Sequence, residues 1–299
     1  MLEAVPNLQR DVMLAPFTTY NIGGPADYFA VANSKESLSH AIIEARKANI
    51  PYFVLGAGAN ILMGDKGFRG LIIKNEAREV RVTGNTVVAE SGALVSDVIE
   101  TTAKHELSGF EHFAGIPSTM GGAVWQNLHF LSPDRRRTVY LSDIFDSAEV
   151  LDENNEILVC GKSFFEFDYD FSVLHRRPLV VLEVTCTGSF LSEELIRSQI
   201  EKNLLWRKEK QPSYEEFPSC GSVFKKIEGV GAGRLIEKVG LKGHQIGNAQ
   251  ISEKHANFFV NMGGATAKDV RNLIEVAQET VLKKTGYRLE IEISFIGEF

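Results

Sequence analysis

"YFVLGAGANILMG", residues 52–64, decides how the first half of the chain is read. Tyr52 to Leu55 form a short apolar run that fits a buried strand, and Gly56 and Gly58 turn it into a loop. Two glycines at that spacing leave backbone N–H groups exposed, and such a turn can cradle phosphate oxygens. The loop is not the G-x-G-x-x-G dinucleotide fingerprint, because Ile61 occupies the last glycine position. Alone it is equally well explained as a strand connection that is glycine-rich for steric reasons.

Outward from this loop, strands and helices mix without a βαβα rhythm. "ANSKESLSHAIIEARKANIP" has Asn33 and Glu36 in a capping-box spacing, and Leu38, Ala41, Ile42 and Ala45 repeat on one helical face until Pro51. "VRVTGNTVVAESG" predicts a hairpin around Gly84-Asn85, and "LVVLEVTCTG" (179–188) a buried strand. A helix is expected from the Ser192 cap to a stop before Pro212. Another runs between Thr266 and Gly286, with Val270, Leu273, Ile274, Ala277 and Val281 on one face. "LEIEISFIG" alternates as a strand, with Leu289, Ile291, Ile293 and Phe295 on one side and Glu290, Glu292 and Ser294 on the other. The pattern predicts an α+β fold with a boundary near residues 190–212.

Composition narrows the class. The 299 residues are 44% hydrophobic and 24% charged, which suits an ordinary globular chain. A net charge of −7 argues against nucleic-acid binding but leaves room for a local basic pocket. Three scattered cysteines, Cys160, Cys186 and Cys220, fit reduced thiols and no disulfide framework. No C-x-x-C or H-E-x-x-H pair suggests a metal. With no signal-like start and no apolar run of membrane-spanning length, a cytoplasmic protein without membrane insertion is expected.

Three further segments carry possible chemistry. "GFEHFAGIPSTMGGAVWQN" (109–127) combines Gly115, Gly121 and Gly122 with Pro117 and the hydroxyls of Ser118 and Thr119, as a flat ligand lying on bare backbone would need. "NIGGPADYF" (21–29) is a tight turn. "SCGSVFKK" (219–226) sets Ser222 after a glycine, yet Phe224 stands where a G-x-S-x-G nucleophile elbow needs glycine. Periodicity alone makes Glu292 a solvent-facing strand residue, and lone lysines and arginines are usually solvated surface charges.

In order, "TTYNIGGPADYF", "VLGAGANIL", "GFEHFAGIPSTMGGAVWQN", "SCGSVFKK", "AGRLIEKVGLKGHQIGNAQISEKHANFFVN" and "LEIEISFIG" closely resemble the UDP-N-acetylenolpyruvoylglucosamine reductase family, in its shorter branch. The resemblance covers nearly the whole chain and is weak over 128–178. It implies a two-part FAD-binding domain of the vanillyl-alcohol-oxidase type over residues 1–190, in subdomains of about 1–75 and 76–190. A substrate-binding α+β domain would follow over 191–299, its last strand contributing Glu292. It further implies non-covalent FAD, with Gly56, Gly58, Ala59 and Asn60 on the pyrophosphate and Gly115, Ile116, Pro117, Ser118, Thr119, Gly121 and Gly122 along the flavin. NADPH would donate the electrons, Ser222 and Glu292 would be catalytic, and Ser222 would be a general acid, not a nucleophile. Tyr169, Arg207, Lys210, Lys225 and His255 would meet a UDP-sugar substrate. Oligomeric state is left open.

The chain departs from the family at "FDYDFSVLHRRP". The resemblance implies a Tyr-Arg-x-Ser motif before the strand at 179; Tyr169 and Ser172 are retained, but Asp170 occupies the arginine position, a carboxylate that would repel the charge an arginine would stabilise. The expectation is that Arg135, Arg136, Arg137, Arg176 or Arg177 supplies the lost cation. Two other readings stand beside reduction: an oxidase of the same fold, for which His112 is the nearest histidine to a flavin loop, and a flavin- or UDP-sugar-binding relative without catalysis.

Overall fold

In the computed structural model, which describes residues 2–131, 137–227 and 229–299, helices and strands mix as an α+β fold. Two compact units emerge, each from three stretches of chain. Residues 1–8, 30–57 and 72–207 make the first, and residues 9–29, 58–71 and 208–299 make the second. The strands Pro25–Ala32 and Phe68–Asn75 run on through the chain from one unit into the other.

The first unit is built on an antiparallel sheet in the order Ile157–Gly161, Phe145–Leu151, Val180–Thr187, Thr86–Glu90, Val80–Thr83. Its last two strands close the expected hairpin: Thr83 pairs Thr86 across the two-residue Gly84-Asn85 turn. Val87, Ala89, Val98, Phe110, Phe113, Met120, Val124, Phe145, Phe165 and Val184 form one buried cluster. Each large side chain buried there contributes about 1.5–3 kcal/mol. The helix Lys35–Lys47 buries Leu38, Ala41, Ile42 and Ala45 as its periodicity predicts. Its cap differs by one residue: Ser34, not Asn33, accepts from Ser37 N–H, and Ser37 returns the bond to Ser34 N–H.

The second unit packs the helix Ala267–Thr285 against the strands Gln245–Ile246 and Ala249–Ile251, the latter paired in turn with Phe259–Asn261. Thr266 caps that helix with a box to Asp269, and Gly286 ends it in a left-handed conformation at φ 77°. Val270, Leu273, Ile274, Ala277 and Val281 enter a core shared with Tyr20, Leu62, Val223, Phe224, Ile236 and Phe259. The C-terminal segment is a correction. Only Ser294–Ile296 is a strand, parallel to Ile61–Met63. Leu289 and Ile293 are buried, but Phe295 is 39% exposed under the Arg271 guanidinium. Upstream of residue 294 the backbone is spent on a different partner: Glu292 N–H bonds to Val223 O, and Lys225 N–H to Glu290 O. The alternation therefore marks faces without marking one continuous strand.

Candidate functional site

Within the first unit Gly56 meets Thr119. A Cβ on Gly56 would lie 2.6 Å from Thr119 Oγ1, so only glycine allows this approach. Thr119 caps the short helix Met120–Trp125 by accepting from Gly122 N–H. Ser118 O accepts from Val95, and Gly121 N–H reaches Ser91 O, which roots this segment in the core. Ser118 turns its hydroxyl onto Thr119 O at 3.0 Å. Gly115, at φ 80°, carries Arg207 directly over it: an added Cβ would come within 3.0 Å of Arg207 Cδ and Nε. The Arg207 guanidinium also lies over the Phe130 ring at 5.8 Å.

The carbonyls of the phosphate-type loop are taken up by protein donors. Lys74 Nζ donates to Gly56 O at 2.6 Å. Thr19 N–H donates to Gly58 O at 3.1 Å, and Ser294 N–H to Asn60 O at 3.0 Å. With the carbonyl oxygens so held, the N–H edges of the peptide planes are the part of the loop that suits an anion. The residues present therefore fit the pyrophosphate of a dinucleotide cofactor. Burial holds the Lys74 ammonium below its ordinary pKa, with Glu76 at 3.5 Å opposing the shift. Sequence reasoning missed Lys74; a lone lysine inside the apolar run "GLIIKN" was the available signal.

In the second unit the structure brings Ser222 and Glu292, seventy residues apart in sequence, onto paired backbone segments. Ser222 bridges Phe258, and Phe224 bridges Ile291. Glu292 N–H bonds Val223 O at 2.8 Å. Asn257, also missed in the sequence, is the clamp: its Oδ1 accepts from Phe224 N–H at 3.0 Å and its Nδ2 donates to Phe224 O at 2.8 Å. Both Ser222 and Glu292 are half-buried, so Glu292 is not the solvent-facing residue that alternation suggested. Burial pushes the neighbouring Cys220 thiol far up, and the Glu292 charge pushes the same way, so that thiol stays protonated and inert.

The predicted substrate residues divide. His255 is half-buried; its Nδ1 accepts from Asn257 N–H at 3.2 Å, and burial holds its pKa down, favouring neutral imidazole. Lys225 pairs with Glu290, and Lys210 with Glu209 at 2.5 Å, all in exposed positions. Tyr169 tilts its ring against that of His129, the centroids 4.6 Å apart. Asp170 is buried in a left-handed conformation at φ 50°, and its Oδ1 accepts from Gln126 Nε2 at 3.3 Å. Of the arginines expected to offset it, Arg176 pairs with Glu166 and Arg177 with Glu153; Arg137 is exposed, and Arg135 and Arg136 lie outside the described residues. His112 sits 3.5 Å from Glu111. A separate cavity of about 410 Å³, lined by Asn21, Glu215, Glu216 and Met262 among others, holds none of the predicted catalytic residues. Among the described residues no cluster could hold a metal, and no helix is long and apolar enough to cross a membrane.

Comparison with known proteins identifies the family. Residues 211–296 match the C-terminal domain of UDP-N-acetylenolpyruvoylglucosamine reductase, and residues 26–161 match an FAD-binding domain. The reductase of Caldanaerobacter subterraneus subsp. tengcongensis is 42% identical over 94% of this chain and 91% of its own length. That of Clostridium novyi is 38% identical over 97% and 92%. The crystal structure of UDP-N-acetylenolpyruvylglucosamine reductase from Thermus caldophilus superposes with a TM-score of 0.81 at 31% identity, covering 97% of this chain and 99% of that one. The chain therefore belongs to the UDP-N-acetylenolpyruvoylglucosamine reductase family, FAD-dependent oxidoreductases of peptidoglycan synthesis.

Proposed function

We propose that this chain reduces the enolpyruvyl double bond of UDP-N-acetylglucosamine enolpyruvate to give UDP-N-acetylmuramate, with NADPH as electron source and Ser222 as proton donor. Residues 1–190 bind FAD non-covalently and residues 191–299 handle the substrate. Gly56, Gly58, Ala59 and Asn60 hold the pyrophosphate through backbone N–H groups, and Gly115, Ile116, Pro117, Ser118, Thr119, Gly121 and Gly122 line the flavin. Bound FAD, once reduced, supplies a hydride.

Addition of hydride to the terminal carbon leaves an electron pair on the neighbouring carbon, delocalised into its carboxylate. Ser222 donates the proton that quenches that carbon. A hydroxyl is a weak acid, so tight placement matters, and the Asn257 clamp supplies rigidity next to it. Glu292 is the acidic group in register with this segment. Tyr169, Arg207, Lys210, Lys225 and His255 receive the substrate. Lys210 and Lys225 are held only by exposed ion pairs, each worth about 0–1 kcal/mol, so a diphosphate competes easily for them.

The observation that carries this reading is the backbone pairing of Glu292 with Val223, beside Ser222, in a chain of this family. Anaerobic absorbance tests it. The flavin is bleached with NADPH, and the substrate is then added. Prompt return of the oxidised band supports reduction. Asp170 favours one second reading, binding without reduction, and a flavin that stays bleached would establish that instead.

A further inference from the structure

Lys74 carries a charge into a place where a neutral group would serve. It stands between Ile73 and Asn75, both buried, on the strand Phe68–Asn75. That strand lies beside Tyr52–Leu55, which leads into Gly56. The Lys74 side chain is 14% exposed, and its Nζ donates to Gly56 O at 2.6 Å. A carbonyl is satisfied by any N–H or O–H, and taking an ammonium out of water to meet one is costly. The hydrogen bond alone does not account for a lysine.

The charges beside it leave part of that cost uncompensated. Glu76 Oε1 lies 3.5 Å from Lys74 Nζ, but Glu76 is shared, because its Oε2 pairs with Arg78. Two cations thus divide one carboxylate, and this group of three keeps one positive charge in surplus. Lys74, Glu76, Arg78, Gly56, Ala57 and Thr119 all belong to the first unit.

The peptide that Lys74 holds is fixed from two sides. Lys74 takes the Gly56 carbonyl, and Thr119 packs where a Gly56 Cβ would stand. In a trans peptide the C=O and the following N–H point opposite ways, so the Ala57 N–H is turned away from Lys74. Ala57 is half-buried, and among the described residues no acceptor meets its N–H. A donor on a carbonyl also polarises the peptide behind it, so an ammonium on Gly56 O makes the Ala57 N–H a stronger donor. An aimed N–H and a surplus positive charge on one peptide suit an anion.

We propose that Lys74 is a positioning residue for the pyrophosphate of the cofactor: it aims and polarises the Gly56–Ala57 peptide so that the Ala57 N–H donates to a phosphate oxygen. Ala57 is a donor outside the set read from the sequence, and the surplus charge of Lys74 favours the anion through the same peptide. The inference rests on the cofactor placement proposed above and is independent of the reduction of substrate.

The test uses the protein stripped of flavin and titrated with FAD, read by flavin fluorescence, and with ADP, which carries the diphosphate without the flavin, read by calorimetry. K74M, uncharged and of similar length, should bind both ligands about 10–100-fold more weakly, with the FAD-free melting temperature close to wild type. K74R keeps a charge and a donor and should recover most of the loss. By NMR of alanine-labelled wild type, the Ala57 amide proton should move downfield on adding ADP or FAD, and K74M should show a smaller displacement. Wild-type affinities in K74M, with the Ala57 amide still responding, would overturn the role of Lys74 and leave the pyrophosphate site in place. A wild-type Ala57 amide that responds to neither ligand would overturn the cofactor placement, and this inference with it. A K74M protein whose FAD-free form melts far lower, with no recovery of affinity in K74R, would make Lys74 a packing residue. Should K74M fail to fold, K74Q takes its place and is read the same way.

Discussion

At the scale of single residues, the groups proposed to carry the chemistry are set by their neighbours more than by their own type. Ser222 is an ordinary hydroxyl with no nucleophile elbow around it, and its distinction is the rigid backbone on either side. S222A should therefore slow flavin reoxidation by substrate about 10²–10⁴-fold while reduction by NADPH proceeds at the wild-type rate; stopped-flow absorbance separates the two halves. His255 offers a second test, through stability. Burial depresses its folded-state pKa, so the unfolded chain binds a proton that the folded chain refuses. Stability is then intact above the unfolded value of about 6.5 and falls as pH drops from there through the depressed folded pKa. Melting temperature measured from pH 7.5 to 5 should fall more steeply for wild type than for H255Q. Parallel curves would show that His255 titrates as in the unfolded chain.

At the scale of elements, Asn257 is the part most open to test. It closes two hydrogen bonds to Phe224 from a buried position. Truncation would leave a buried N–H and C=O without partners, and N257A should cost about 1–3 kcal/mol in denaturant unfolding. It should also lower turnover beyond what flavin loss explains, because the clamp adjoins Ser222. Elements also show what was legible. The helix Ala267–Thr285 was readable end to end because capping, periodicity and the Gly286 stop agree locally. The Gly84-Asn85 hairpin was readable for the same reason. The C-terminal strand was overread because alternation reports burial on one face and cannot say where a segment changes partner between Val223 and Ile61–Met63. The cap at Ser34 was missed by one residue because Asn33 and Ser34 are both competent caps at the level of residue type. The proposed site was read in its glycines and in Ser222 and Glu292, through family resemblance. Lys74 and Asn257 were not, because each is placed by a contact made by tertiary packing: the carbonyl of Gly56 and a backbone 33 residues away.

At the scale of the whole molecule, the chain has two separate buried clusters and an acidic balance, and it is matched along its length to flavin-dependent relatives. A net charge of −7 gives no general attraction for a polyanionic cofactor, so binding depends on local groups, and the backbone N–H groups of residues 56–60 are the ones proposed. A cofactor that binds the folded chain and not the unfolded one adds stability by mass action, about 2.7 kcal/mol at a hundredfold excess over Kd. Stripping the flavin should lower the melting temperature, and titrating FAD back should raise it with the logarithm of free FAD. G56A brings a methyl group to within 2.6 Å of Thr119 Oγ1, so its damage falls on the approach of Gly56 to Thr119, both proposed to meet the cofactor. Its titration curve should shift to higher FAD while the FAD-free melting temperature stays closer to wild type. A G56A protein whose FAD-free form melts far lower, with unchanged FAD affinity, would make Gly56 a packing residue and remove it from the cofactor site.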